Sequence, residues 1–245
     1  MLDDDNHVAR FLDVARSLSA TFDGPLPHHI ARALGTQPNT REFYWRVVAL
    51  MELGERARAQ ILELGGPGQV PYLAALDPML QAIREIDLQR PWSQYISAFH
   101  AGTLGQLEIC VQYVNERSRY APPSPEDVQR VLNEVEAAIA ELLESDIEAE
   151  AKEILLEMLR EAENALRGYR IFGIAGLRRA MERTIGASFV HHEVLKRSKN
   201  PGVVKRSVRA VGGLVTLLRN VDFVARQLPA TVVQGLEFIR GLLGP

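Results

Sequence analysis

Two pairs of adjacent histidines, His28-His29 and His191-His192, are the side chains in this sequence best suited by type to metal or acid–base chemistry, and Glu193 follows the second pair. Metal ligands carried by one helix share a face when they stand three or four residues apart. Neighbours in sequence point about 100° apart on a helix, so neither pair converges on an ion. No His-Glu-x-x-His or Glu-x-x-His arrangement is present to supply the missing spacing. The pairs therefore read as surface or partly buried imidazoles, and no metal is expected.

Cys110 is the single cysteine and lies between Ile109 and Val111. One cysteine excludes an intramolecular disulfide and a cysteine-built zinc site. As a nucleophile it would need a histidine beside it, His100 for example; its apolar neighbours predict a small buried hydrophobe instead. The Gly-x-x-x-x-Gly-Lys-Ser/Thr, Gly-x-Gly-x-x-Gly and Gly-x-Ser-x-Gly turns are all absent from the sequence, and no cofactor is expected. Pro27 to Gly35 has the small residues of a helix-turn-helix. The next helix opens Arg41-Glu42-Phe43-Tyr44-Trp45-Arg46, which is bulky and suits core packing better than a DNA groove. Nucleic acid is not an expected partner.

Charge is segregated. Residues 126–163 carry 13 acidic and three basic side chains, a net of −10, while residues 167–226 carry 13 basic and three acidic ones, a net of +10. The whole chain sums to −3, which disfavours both a globally basic nucleic-acid binder and an acidic solvating chain. Two readings compete. In the first, the halves neutralise each other and present ordinary solvated faces. In the second, the basic half meets an anionic partner, with Lys205, Arg206, Arg209 and Arg219 as the candidate contacts. Val204, Val208, Val211, Val215 and Leu218 lie on one face of that helix, and Gly212-Gly213 would let another backbone approach.

The elements that must position these groups are helical throughout. Val8, Phe11, Leu12, Ala15 and Leu18 recur at helical spacing, and Gly24-Pro25 stops them. A short helix is predicted to end at Gly35, and Asn39 or Thr40 to cap the next, which stops at Gly65. Residues 72–88 continue the pattern with a possible break at Asp77-Pro78. Trp92, Tyr95, Ile96 and Phe99 form a short aromatic stripe, and Thr103 with Gln106 reads as a capping box. Tyr120-Ala121-Pro122-Pro123-Ser124-Pro125 is the most linker-like stretch, and Ser124 caps the first of two long helices that break near Ser145-Asp146 into an antiparallel hairpin.

In Tyr169-Arg170-Ile171-Phe172-Gly173-Ile174-Ala175-Gly176, the residues Tyr169, Gly173 and Gly176 predict a structural corner where the long helix turns into a new one. Beyond it the helices shorten, and Asn200-Pro201-Gly202 is a stop. No stretch alternates with period two. The chain resembles, in a general way, helical bacterial proteins, and that resemblance implies no activity.

The prediction is an all-α multi-helix bundle of nine to twelve helices. It divides into an N-terminal bundle (1–120), a helical hairpin with short helices (124–199) and a short-helix, basic, apolar C-terminal region (203–245). At 47% apolar residues the chain has ample material for a core. The start, Met1-Leu2-Asp3-Asp4-Asp5, is not a secretory leader, and the longest apolar run is nine residues, Ala210 to Leu218, so a cytoplasmic location with a possible membrane association is expected. The functional expectation is a non-enzymatic bacterial interaction or regulatory protein working through a protein partner or a homo-oligomer. A membrane-acting effector that uses the basic C-terminal region on an anionic surface is the alternative. An enzyme, the third possibility, would require a pocket holding Tyr169, His191 or His192 beside a buried carboxylate.

Overall fold

A computed structural model describes residues 5–20, 24–65, 68–117 and 123–219, with only the backbone for Arg219. Among these residues the regular structure is ten α-helices and two short 3-10 segments, with no strand, so the protein is all-α. By internal contacts the chain falls into two units. Met1–Arg119 with Arg170–Gly173 forms the first, and Tyr120–Tyr169 with Ile174–Pro245 forms the second.

The first unit is built around α1 (His7–Ser19), which packs against α2 (Leu26–Leu34), α3 (Arg41–Leu64), α5 (Ala101–Asn115) and the 3-10 segment Ile96–Phe99. α4 (Gln69–Arg84) lies on α3 and α5. Val8, Phe11, Val14 and Leu18 of α1 meet Phe43, Leu50 and Ile61 of α3 in the core, with Leu76 and Met79 of α4. The caps follow from local chemistry. Thr40 Oγ1 accepts from the Phe43 amide at 3.1 Å, and Gly35 takes the left-handed conformation that ends α2. α4 runs unbroken through Pro78, where a break was expected, because Ala74, the residue whose carbonyl the proline frees, sits on the solvent side. The helix expected to be capped at the Thr103–Gln106 box begins three residues earlier. His100 caps it, Nδ1 accepting from the Gly102 and Thr103 amides, while the Thr103 hydroxyl donates to the carbonyls of Ala98 and His100.

The second unit opens with α6 (Pro125–Glu144), whose cap Ser124 accepts from the Asp127 amide at 3.0 Å. After residues 145–148 comes α7 (Ala149–Arg167), packed on α6. α8 (Tyr169–Val190) is interrupted at Gly173, and α9 (His192–Lys196) leads to α10 (Pro201–Arg219), which packs on both α6 and α7. Their core is almost wholly aliphatic: Val131, Val135 and Leu142, then Leu155, Leu159 and Ala162, then Leu177, Val208 and Leu214. Val204, Val208, Val211, Leu214, Leu217 and Leu218 of α10 are all buried there. The approach permitted by Gly213 is that of a side chain, not a backbone: a Cβ added there would stand 2.7 Å from Val131 Cγ1. Residues 220–245, the greater part of the expected C-terminal region, lie outside the described residues.

Candidate functional site

The densest polar chemistry lies at the start of α1, in residues that periodicity alone assigns to solvent. Asp5, Asn6, His7, Arg10 and Gln60 are all buried. Gln60, on α3, fixes the entry to the helix: its Nε2 donates to the Asp5 carbonyl at 3.1 Å and its Oε1 accepts from the Val8 amide at 3.2 Å. Asn6 caps α1 through the Ala9 amide and donates to Asn115 on α5. These bonds place Arg10. Its Nη2 reaches Asp5 Oδ2 at 2.7 Å and donates to His7 Nδ1 at 2.6 Å. Its Nη1 donates to the Ile171 carbonyl at 2.6 Å. The carboxylate and the imidazole thus orient a guanidinium, and the guanidinium holds a main-chain carbonyl.

That carbonyl belongs to the tetrapeptide Arg170–Gly173, which the first unit receives from much later in the sequence. Arg170 Nε donates to Asp13 Oδ2 at 2.5 Å, and its Nη2 donates to the Asp13 carbonyl and to Ser17 Oγ. The Ile171 side chain is buried in the first core. Phe172 stacks on Trp45 with ring centroids 4.4 Å apart and 25° between planes. Gly173 has φ 57° and ψ −152°, and a Cβ there would meet Asp5 Oδ2 at 2.1 Å and Arg10 Cζ at 2.5 Å. Only glycine suits that backbone region, and only glycine fits that space.

A second feature is the outer face of α3. Tyr44, Trp45 and Val48 are 51%, 56% and 52% exposed. The aromatic opening of this helix, expected to pack inward, is divided. Phe43 enters the core, and Arg46 is buried beside it, donating to the Leu34 and Gly35 carbonyls at the end of α2 and pairing with Glu42.

The residues singled out from the sequence are dispersed. His28 is exposed. His29 is fully buried, its Nε2–H donating to the Leu18 carbonyl at 3.0 Å and its ring 5.0 Å from that of Trp92; burial holds its pKa below the ordinary imidazole value. His191 is half-buried, and His192 lies within 3.0 Å of both the Phe189 carbonyl and Glu193. Cys110 is fully buried in α5, which pushes its thiol up to about 12. His100 sits at the N-terminus of that helix, occupied with its cap. Tyr169 packs against the second core, and Gly176 is half-buried on α8. Among the described residues no three His, Cys, Asp or Glu side chains form a group able to hold a metal ion.

Lys205, Arg206 and Arg209 are exposed on α10. Arg206 pairs with Glu141 of α6, its Nε donating to Oε2 at 2.6 Å. Arg167 with Glu136 and Arg183 with Glu161 likewise join basic to acidic segments inside the second unit. Lys205 and Arg209 carry no ion pair among the described residues, and the Arg219 side chain lies outside them. Glu148, accepting from the Lys199 amide and the Ser198 hydroxyl, is held below the usual carboxylate range by those bonds, the amide first. No helix of the described residues is long and apolar enough to cross a membrane. Two open depressions, one along α6 from Pro125 to Ala137 and one between Pro78 and Ala98, contain none of Tyr169, His191 or His192.

No family model, curated protein or solved structure matches the chain.

Proposed function

We propose that the chain is a non-enzymatic helical interaction or regulatory protein acting in the cytoplasm through protein–protein contacts. The carrying observation is the outer face of α3, where Tyr44, Trp45 and Val48 stay more than half exposed on a regular, well-capped helix. Large aromatic side chains on a rigid element bury much area at little entropic cost, which is why they concentrate at the centres of interfaces. In this reading α6 and α7 form an antiparallel hairpin that, with α10, acts as scaffold. The partner is another protein or a second copy. The test is a photo-crosslinking amino acid placed at Tyr44 in the cells that make the protein. A single discrete adduct, lost on Val48→Glu, supports the reading. No adduct, or one indifferent to Val48→Glu, overturns it.

A second reading rests on Lys205 and Arg209, exposed basic side chains that α6 does not neutralise. They favour contact with an anionic membrane surface, with α10 contributing charge and not its apolar face, which is buried. Deleting 201–245 would strip the second core, so point substitutions are the proper probe. Under this reading the full chain co-sediments with phosphatidylserine vesicles but not with phosphatidylcholine, and Lys205→Glu with Arg209→Glu abolishes it. Equal sedimentation of variant and parent would end the idea.

A further inference from the structure

We propose that the occupant of the α3 face is a second copy of this chain, the two α3 helices packing antiparallel about a two-fold axis at Val48. The inference rests on the reading of Tyr44, Trp45 and Val48 as an interface, and it names the partner.

The outer face of α3 is complementary to itself. A two-fold contact brings each residue against the one equally far on the other side of the axis, so only a face whose two halves match can bind its own copy. Arg41 and Glu55 stand seven residues either side of Val48, about 10 Å along the helix, and Tyr44 and Glu52 stand four residues either side. Spacings of three and four residues keep all five on one stripe, and all five are exposed. Antiparallel pairing sets Arg41 of one protomer against Glu55 of its partner and offers the Tyr44 hydroxyl to the Glu52 carboxylate. Each of these contacts is made twice, and Val48 closes on Val48 between them. A parallel pair would set Arg41 on Arg41 and Glu55 on Glu55.

Arg41 is the residue most in need of such a partner. It carries no ion pair among the described residues, and it stands in the first turn of α3, where the free amides already present positive charge. Glu52 and Glu55 meet Arg56 and Arg84, but both pairs are exposed, and a carboxylate has room to accept from a second guanidinium. Beside the axis, Phe172 stacks on Trp45 and holds that ring still, which lowers the entropy lost on association.

The test begins with Val48→Cys, a substitution at an exposed site that spares the core. On the axis the two thiols face each other, and Cys110 is fully buried and does not compete. Mild oxidation of the full chain should give a disulfide-linked dimer of twice the 27.3 kDa chain mass. It should form about tenfold faster than with Leu62→Cys, an exposed site of the same helix far from the axis. Equal rates for the two cysteines overturn the proposal. Charge exchange is the second arm. Arg41→Glu and Glu55→Arg each set like charges together twice, and each should weaken the dimer about tenfold in sedimentation equilibrium. The double variant opposes the charges again and should recover it. Losses that add in the double variant overturn the proposal, as does a wild-type chain that is monomeric at every concentration. A Tyr44 cross-link to a protein of another mass refutes the second copy and leaves the interface reading intact, whereas no cross-link refutes both.

Discussion

The two units solve the same problem with different materials. In the first, the buried polar side chains include Asp5, His7, Arg10, His29, Arg46 and Gln60, and rings pack at a tilt around Trp92 and stack on Trp45. In the second, the buried polar side chains among the described residues are hydroxyls: Thr184, Ser188, Ser198 and Ser207. Thr184 and Ser188 return their protons to carbonyls of their own helix, at Met181 and Ile185. The arginines and glutamates of the second unit meet on its surface. A unit held by buried hydrogen bonds to charged groups depends on single atoms, because removing one partner strands the other. A unit held by aliphatic burial spreads the same stabilisation over many side chains, each replaceable by one of similar volume.

The sharpest way to break the comparison is Arg10→Met. It removes a buried cationic partner from the Asp5 carboxylate and the donor from the Ile171 carbonyl, and should cost the first unit about 3–5 kcal/mol. Both tryptophans of the chain, Trp45 and Trp92, lie in that unit, so a urea titration read by intrinsic fluorescence isolates it, while far-ultraviolet circular dichroism reads both units. Fluorescence midpoints equal to those of the parent would refute the account of Arg10.

Next in size is Gly213→Ala in the second unit. The new methyl meets Val131 Cγ1, and overpacking typically costs about 1–3 kcal/mol against a helical gain of roughly 0.5–1 kcal/mol. The loss should appear in circular dichroism with the fluorescence transition unmoved, and Val131→Ala added to it should recover part of the loss. Additive losses in the double variant would show that the two residues do not press on each other.

Acidification should separate the units by pH. His29 resists protonation because it is desolvated, so its folded pKa lies below the ordinary 6.5. As pH falls below that value the unfolded chain takes a proton that the folded chain refuses, and the first unit loses stability. Glu148 and Asp127 have depressed pKa values, Glu148 chiefly through the Lys199 amide and Asp127 chiefly through the Ser124 hydroxyl. Their contributions persist above the ordinary carboxylate range and disappear only as pH falls through it. Between pH 6.5 and 5 the fluorescence transition should therefore weaken while the second unit holds, and His29→Gln should flatten that dependence. The smallest effect belongs to Arg206→Gln. Exposed pairs contribute about 0.2–1 kcal/mol, so circular dichroism should register little change, less still at high salt. Set beside Arg10→Met, it measures what burial adds to the same guanidinium.

Legibility in the sequence divides along the same line. The second unit is readable because its buried positions, Val128, Val131, Val135 and Leu142, then Ile154, Leu155, Met158 and Ala162, repeat at helical spacing. The caps at Ser124 and Gly35, and the choice of Asn39 or Thr40 before α3, were readable because caps are decided within a few residues. Arg10 was not. Periodicity counts an arginine as solvent-facing, and its deciding contact stands 161 residues away. Gln60 is hidden in the same way, 55 residues from Asp5. His100 displaced Thr103 as a cap because an imidazole nitrogen can accept from two amides at once, a role for which no short motif stands. The α3 face misled for another reason. Tyr44 and Trp45 are as apolar as Phe43, and only the buried Arg46 beside them shows which way the helix turns.

The discontinuity of the first unit also orders its assembly in time. A ribosome releases Arg10 long before Ile171, and at about 5–20 residues per second the interval is on the order of 10–30 s. Throughout it the guanidinium and its carboxylate wait beside an empty seat while α6 and α7 are still being synthesised. The first unit is therefore still incomplete when its own helices have all been made, and its last four residues arrive only after α6 and α7 of the second unit.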